Sequence, residues 1–341
     1  MSKKGFVVSA FLGVMLIMMF FSAVPGASAA TTLTYSCFFP PTHIQSILAE
    51  QWSQEVEKRT NGEVKVQYYP GQSLTKADQC YDGVVQHISD IGFSVLAYTR
   101  GRFPVMSAVD LPLGYMSGRA ATAVINAVYE EFNPVELQDT KVMYLHAHGP
   151  GLIHTKGKAV RKLEDMKGLK FRGHGTSADV VKALGGTPVP KPMPETYEML
   201  QKGVVDGGVY PLESNKGWKL GEVVDYCTAD FTSAYTTSFF VVMNKDKWAE
   251  ISPENQKIIE EINAEWVVKH AEAWDTSDME GLRYLLNQGG EMIGLDAKEA
   301  ARWKAAVQPI IDGYVTELDK KGLNGKEIVE FIAKTLEKEQ Q

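Results

Sequence analysis

The apolar and polar positions of this chain switch repeatedly between a two-residue and a helical period, most sharply in residues 163–211. After Gly168, Leu169-Lys170-Phe171-Arg172 alternates apolar and polar, which predicts a half-buried strand ending on a cation. A helical window runs from Ser177 to Leu184 and stops at Gly185-Gly186. Pro188-Val189 then reads as a short strand, a second helix from about Glu195 closes at Gly203, and Val204-Val205 resumes a strand. This β-α-β-α-β order predicts an open α/β sheet, in which ligands gather beyond the carboxyl ends of the strands. Arg172 then stands at a strand tip, where its guanidinium can fork onto a carboxylate; a surface ion pair is the plainer use of an isolated arginine.

The same alternation extends to both sides. Leu33-Thr34-Tyr35-Ser36 predicts a first strand, followed by a loop from Phe38 to His43 and a helix from about Ile44 to Arg59 whose apolar face carries Ile47, Leu48, Trp52 and Val56. Asn61-Gly62 ends that helix, Val64 to Tyr68 predicts a strand, Ser73-Leu74 opens a helix toward His87, and Asp90 to Ser94 predicts a third strand. Past Gly149-Pro150-Gly151 the chain enters a second lobe. The run Phe239-Phe240-Val241-Val242-Met243 suits a returning strand buried on both faces, so the chain crosses between lobes more than once. Ser252-Pro253 opens a long helix with Ile258, Ile259, Ile262 and Trp266 on one stripe, and a second amphipathic stretch from Asp296 carries Trp303, Val307, Ile310 and Ile311. The fold class is α/β with two lobes, a ligand cleft between them and long C-terminal helices. Residues 30–149 with about 235–275 are expected in lobe I, and 150–234 with about 276–341 in lobe II.

Composition narrows the functional classes. Lys3 and Lys4 precede the apolar run Phe6 to Ala23, and Ala27-Ser28-Ala29 supplies small residues for cleavage, so residues 1–29 predict a secretory signal peptide and a periplasmic mature chain. An uncleaved anchor is the alternative, and the Pro25-Gly26 break favours cleavage. The net charge of −7 becomes more negative once both lysines leave, which disfavours nucleic acid as a partner. The odd count of Cys37, Cys80 and Cys227 permits at most one disulfide, whose connectivity the sequence leaves open.

Few motifs point to catalysis or metal. His146 and His148 share a strand face and with His154 and His174 outline a zinc reading, but no His-rich loop or converging carboxylates accompany them. No nucleophile elbow or phosphate loop is present, Gly173-His174-Gly175 falls short of a dinucleotide fingerprint, and the adjacent Glu164-Asp165 do not have the spacing of a glycosidase pair. The expectation is a protein that is not an enzyme and carries no cofactor and no metal. The strand-tip loops supply ligand candidates: Phe39 and His43 on the first loop, Val95 and Tyr98 after the third strand, His174 just past Arg172, Met193 before the second-lobe helix, and Tyr210 and Glu213 after Asp206-Gly207-Gly208.

The stretches Leu163 to Arg172, Leu184 to Pro190 and Glu195 to Gly207 closely resemble the solute-binding proteins of tripartite ATP-independent periplasmic (TRAP) transporters. The likeness runs through Arg102-Phe103-Pro104, Leu111-Pro112-Leu113 and Met243-Asn244-Lys245, so it covers nearly everything after residue 30. It implies that Arg172 clamps the carboxylate of an organic acid, with membrane permease subunits as partners and a monomeric binding protein. In the family's sialic-acid branch an Asn stands at the position of Tyr210 and a second Arg at that of Leu152. With neither here, the resemblance implies a pocket that presents Phe39, Leu152, Met193, Tyr210, Trp218 and Phe239 around one Arg, which turns the expectation toward a monocarboxylate with an apolar or aromatic body. A ligand sensor that presents its closed form to a receptor is the functional alternative.

Overall fold

The computed structural model describes residues 30–341, so the expected signal peptide lies outside the described residues. The first part of the chain contributes β1 (Thr31–Cys37), α1 (Ile44–Arg59), β2 (Val64–Tyr69), α2 (Cys80–Val85), β3 (Ile91–Val95), α3 (Gly118–Phe132) and β4 (Thr140–Ala147). The second contributes β5 (Gly151–Thr155), β6 (Lys170–Gly173), α4 (Gly175–Ala183), β7 (Thr187–Pro190), α5 (Thr196–Gln201), β8 (Gly207–Pro211), α6 (Ser214–Gly217) and β9 (Tyr226–Ala229). The last contributes β10 (Ser238–Asn244), α7 (Lys245–Ala249), α8 (Pro253–Asn287), β11 (Glu291–Gly294), α9 (Ala297–Lys320) and α10 (Gly325–Glu339).

Two sheets form. The first has the order β2-β1-β3-β10-β4, with β10 returning antiparallel between β3 and β4. Every residue of β10 is buried, as its unbroken apolar run requires of a strand covered on both faces. The second sheet has the order β11-β9-β5-β8-β6-β7, in which β6 is parallel to both β7 and β8. This is the β-α-β-α-β unit expected from residues 163–211, with one correction. Val204-Val205 is not strand: the N–H groups of both residues turn back to the Met199 carbonyl and close the end of α5, with Gly203 at φ +70°. The strand begins at Gly207 instead, where Asp206 pins its neighbour β6 by accepting from the Lys170 N–H (2.8 Å).

The lobes are tied by long helices. Ser252 Oγ caps the start of α8 with Pro253 at its first position, and the 35-residue helix sets Ile259, Ile262, Trp266 and Trp274 into the first core before reaching the second sheet near Leu285. Helix α9 leaves the second lobe, where Trp303 and Val307 join Phe171 and Val181, and its Leu318 ends in the core of α3. The expectation that residues 276–341 stay with lobe II is corrected here for the final helix. Ile328, Ile332 and Leu336 of α10 pack on Val124 and Val128 of α3, because that helix offers the apolar face that α10 must cover.

Candidate functional site

Strand tips from both sheets converge on one pocket. It is lined from the first lobe by Phe38, Phe39, Val95, Tyr98, His148 and Phe239, and from the second by Arg172, His174, Met193, Tyr210, Glu213 and Trp218, with Trp274 of α8 closing the floor. Of the twelve residues expected at a ligand site, ten line it. His43 does not: its side chain caps α1, accepting the Gln45 N–H at Nδ1 (3.2 Å), and stands behind Glu213. Leu152 does not either; it lies in β5 opposite Tyr210 and borders a separate small cavity with Val180, Leu184 and Trp303.

Arg172 dominates the electrostatics. It is 1% exposed, its Nε donates to the Lys191 carbonyl (2.8 Å), and its Nη2 has no hydrogen-bond partner. No carboxylate forms a salt bridge with it among the described residues. Burying an unpaired cation costs several kcal/mol, so a guanidinium held like this is poised for an anion. Two further polar atoms that lack partners lie on lining residues, His174 Nδ1 and Tyr210 Oη. Burial and the Arg172 charge hold the His174 imidazole uncharged, and burial pushes the Tyr210 phenol well above its ordinary range, so that it stays an O–H donor.

The rest of the wall is aromatic. Phe39 packs at 5.7 Å from both Trp218 and Phe239, Phe38 stacks on Trp218 at 6.0 Å, and Phe239 stacks on Trp274 at 5.1 Å. The lobes are shut on each other and the space left is about 30 Å³, room for one or two waters. A ring-sized ligand therefore enters only when the cleft widens. Two polar contacts close the cleft: His43 Nε2 donates to Glu213 Oε2 (2.9 Å), and the Met193 N–H donates to Tyr98 Oη (3.0 Å).

The histidines of the zinc reading are dispersed into other roles. His146 Nδ1 accepts from Trp274 Nε1 (3.0 Å) and its ring stacks on His270 at 4.4 Å, whereas His154 stacks on Tyr210 at 4.0 Å in the other sheet. Burial lowers His154 to about 3 and His148 to about 4. Among the described residues no three His, Cys, Asp or Glu side chains converge as metal ligands, and Cys37, Cys80 and Cys227 are buried free thiols.

The sequence reading missed Phe38, Tyr235 and Trp274 as lining residues. Phe38 adjoins a chosen residue, and Trp274 continues the stripe of Ile262, Trp266 and His270 by one more turn, a signal indistinguishable from ordinary core.

Comparison with known proteins agrees with this architecture. Residues 35–317 match the family described as bacterial extracellular solute-binding protein, family 7. A marine metagenome TRAP solute-binding protein specific for aromatic acid ligands, solved with metahydroxyphenylacetate, is 30% identical and superposes with a TM-score of 0.86 over 91% of this chain and 100% of its own. A TRAP solute-binding protein from Rhodoferax ferrireducens with copurified benzoate is 26% identical, with a TM-score of 0.84 over 91% and 99% of the two chains. One from Bordetella bronchiseptica with bound (R)- and (S)-mandelate is 28% identical, with a TM-score of 0.83 over 90% and 99%.

Proposed function

The chain belongs to family 7 of the bacterial extracellular solute-binding proteins and is a TRAP solute-binding protein, and we propose that it captures a monocarboxylate with an aromatic body in the periplasm and hands it to membrane permease subunits. The single observation that carries the ligand class is the buried guanidinium of Arg172, unpaired at Nη2, inside a wall built from Phe38, Phe39, Trp218, Phe239 and Trp274. A carboxylate on Arg172 satisfies the cation, and an aryl body on those rings adds roughly 0.5–1.5 kcal/mol per aromatic pair to its area burial. Three relatives at 26–30% identity were solved with aromatic acids, which supports the same reading. The protein binds and does not catalyse, as do its relatives.

The test is a panel of aryl monocarboxylates, short aliphatic keto acids, dicarboxylates and uronates in thermal shift and calorimetric titration. Aryl acids at 100 times their Kd are expected to add about 2.7 kcal/mol of apparent stability. Arg172→Ala is expected to lose roughly 2–5 kcal/mol of binding, with Arg172→Lys recovering only part because it lacks the planar fork. Stabilisation by dicarboxylates or uronates alone, or near-normal binding by Arg172→Ala, would overturn the assignment.

A further inference from the structure

Hydrogen-bond geometry divides the pocket into a donor end and an acceptor end. Arg172 Nη2 and the Tyr210 hydroxyl supply donors. His148 presents the opposite character. Its Nδ1 donates to the Gly149 carbonyl (2.5 Å), which leaves a lone pair on Nε2 of a ring that burial keeps neutral. Glu213 is an acceptor of a more consequential kind. Its Oε1 accepts from Ser214 Oγ (2.6 Å) and its Oε2 from His43 Nε2 (2.9 Å). Because His43 Nδ1 accepts the Gln45 N–H, its Nε2 is the donor to Glu213, and the carboxylate is the acceptor of the pair. Each carboxylate oxygen retains a free lone-pair direction.

The position of Glu213 is fixed from several sides. Its main-chain N–H donates to Asp278 Oδ1 of α8 (2.8 Å). Gly217 of α6 passes so close that a Cβ there would lie 2.6 Å from Glu213 Oε2 and 2.7 Å from His43 Nε2. A buried carboxylate, 3% exposed and held in this way, is built into the pocket wall and is not a surface charge that happens to reach it.

We propose that the acceptor end recognises a hydroxyl, so that the ligand is a hydroxyl-bearing aryl monocarboxylate with its carboxylate on Arg172 and its O–H donated to Glu213. This rests on the carboxylate reading of Arg172 and deepens it. A hydroxyl needs one acceptor, which Glu213 offers. An ammonium must place three donors at once and shed a far larger hydration shell than a hydroxyl, so the hydroxyl is the smaller demand on this end. A second ligand carboxylate would set acceptor oxygens against the two Glu213 oxygens, which already accept from His43 and Ser214, and be rejected.

Calorimetric titration of matched pairs tests this: benzoate against 3-hydroxybenzoate, and phenylacetate against mandelate, with phenylglycine and phthalate as the ammonium and dicarboxylate probes. In the wild type the hydroxylated member of at least one pair is expected to bind roughly 10- to 100-fold tighter. Glu213→Ala is expected to bring that ratio within about threefold whatever happens to the absolute affinities, and Glu213→Gln, which keeps an acceptor oxygen and the shape, is expected to retain part of it and to relax the rejection of phthalate. Aryl acids that bind without any hydroxyl preference, a ratio unchanged in Glu213→Ala, or phenylglycine binding tighter than mandelate would overturn the inference while leaving the Arg172 reading standing. If no aryl carboxylate binds the wild type, both fall.

Discussion

The carboxyl of Asp110 is 2% exposed, and its Oδ1 accepts both the N–H (2.8 Å) and the hydroxyl (2.7 Å) of Ser238 at the start of β10. Burial outweighs those two bonds and raises its pKa to about 7. The folded protein therefore holds this proton where the unfolded chain, titrating near 3.9, has released it. Stability contributed by the protonated acid is lost as pH rises from about 4 to about 7, by an amount on the order of 4 kcal/mol at most. Asp110→Asn, which keeps the Oδ1 acceptor, is expected to match the wild type at about pH 4 and to exceed it by roughly 1–4 kcal/mol at pH 8 in urea unfolding. A variant less stable than the wild type at pH 8 would show that the charged carboxylate is the form the fold wants. At this scale the sequence was informative wherever a polar residue interrupted a strand tip, as with Arg172. It was mute for Asp110 and Trp274, whose surroundings are assembled from segments more than a hundred residues away.

Helix α8 approaches the segment after β8 so closely at Gly281 that a Cβ there would collide with the Leu212 carbonyl and the Cα of Glu213. One turn earlier Asp278 accepts the Glu213 N–H, so this stretch of helix seats the acceptor residue of the pocket. Helix propensity alone favours Gly281→Ala by about 1 kcal/mol. Backbone atoms cannot yield as a side-chain tip can, and overpacking costs about 1–3 kcal/mol or more, so packing wins and the variant is expected to be less stable, with a lower denaturation midpoint at an unchanged slope. An increase in stability would mean that the helix can slide. The element itself was legible: Ser252-Pro253 and the Ile259-Ile262-Trp266 stripe define its start and buried face. Likewise α1 runs over the residues that its periodicity predicted, and β6 to β8 follow the expected order. Val204-Val205 misled because two β-branched residues after a glycine read as a strand, whereas here they close a helix end. The partner of α10 was not legible either, since amphipathic spacing says that a face is buried and not against what.

Across the whole molecule, closure joins the two sheets through few polar contacts and a continuous apolar core that includes Phe38, Phe39, Met193, Tyr210 and Phe239. Apolar contacts between smooth aromatic faces tolerate sliding, so the polar contacts fix the register in which the lobes meet. Tyr98 Oη receives the Met193 N–H across the closed cleft, and the Tyr98 ring also meets His174 edge-on at 4.9 Å. Tyr98→Phe keeps that ring contact and removes the acceptor, leaving the Met193 N–H unpaired in the shut form alone. An unmade buried bond costs about 1–3 kcal/mol, and since the open form is untouched the whole amount falls on the closure equilibrium. For a ligand-bound form that closes with this contact remade, the apparent Kd for an aryl acid is therefore expected to rise roughly 5- to 100-fold, mostly through faster dissociation. Small-angle scattering separates this from the loss of a direct ligand contact: the variant saturated with ligand should remain measurably more extended than the saturated wild type. Equal compactness at saturation, with or without weakened binding, would remove Tyr98 from the closing contacts and leave register to the His43–Glu213 pair and the aromatic core.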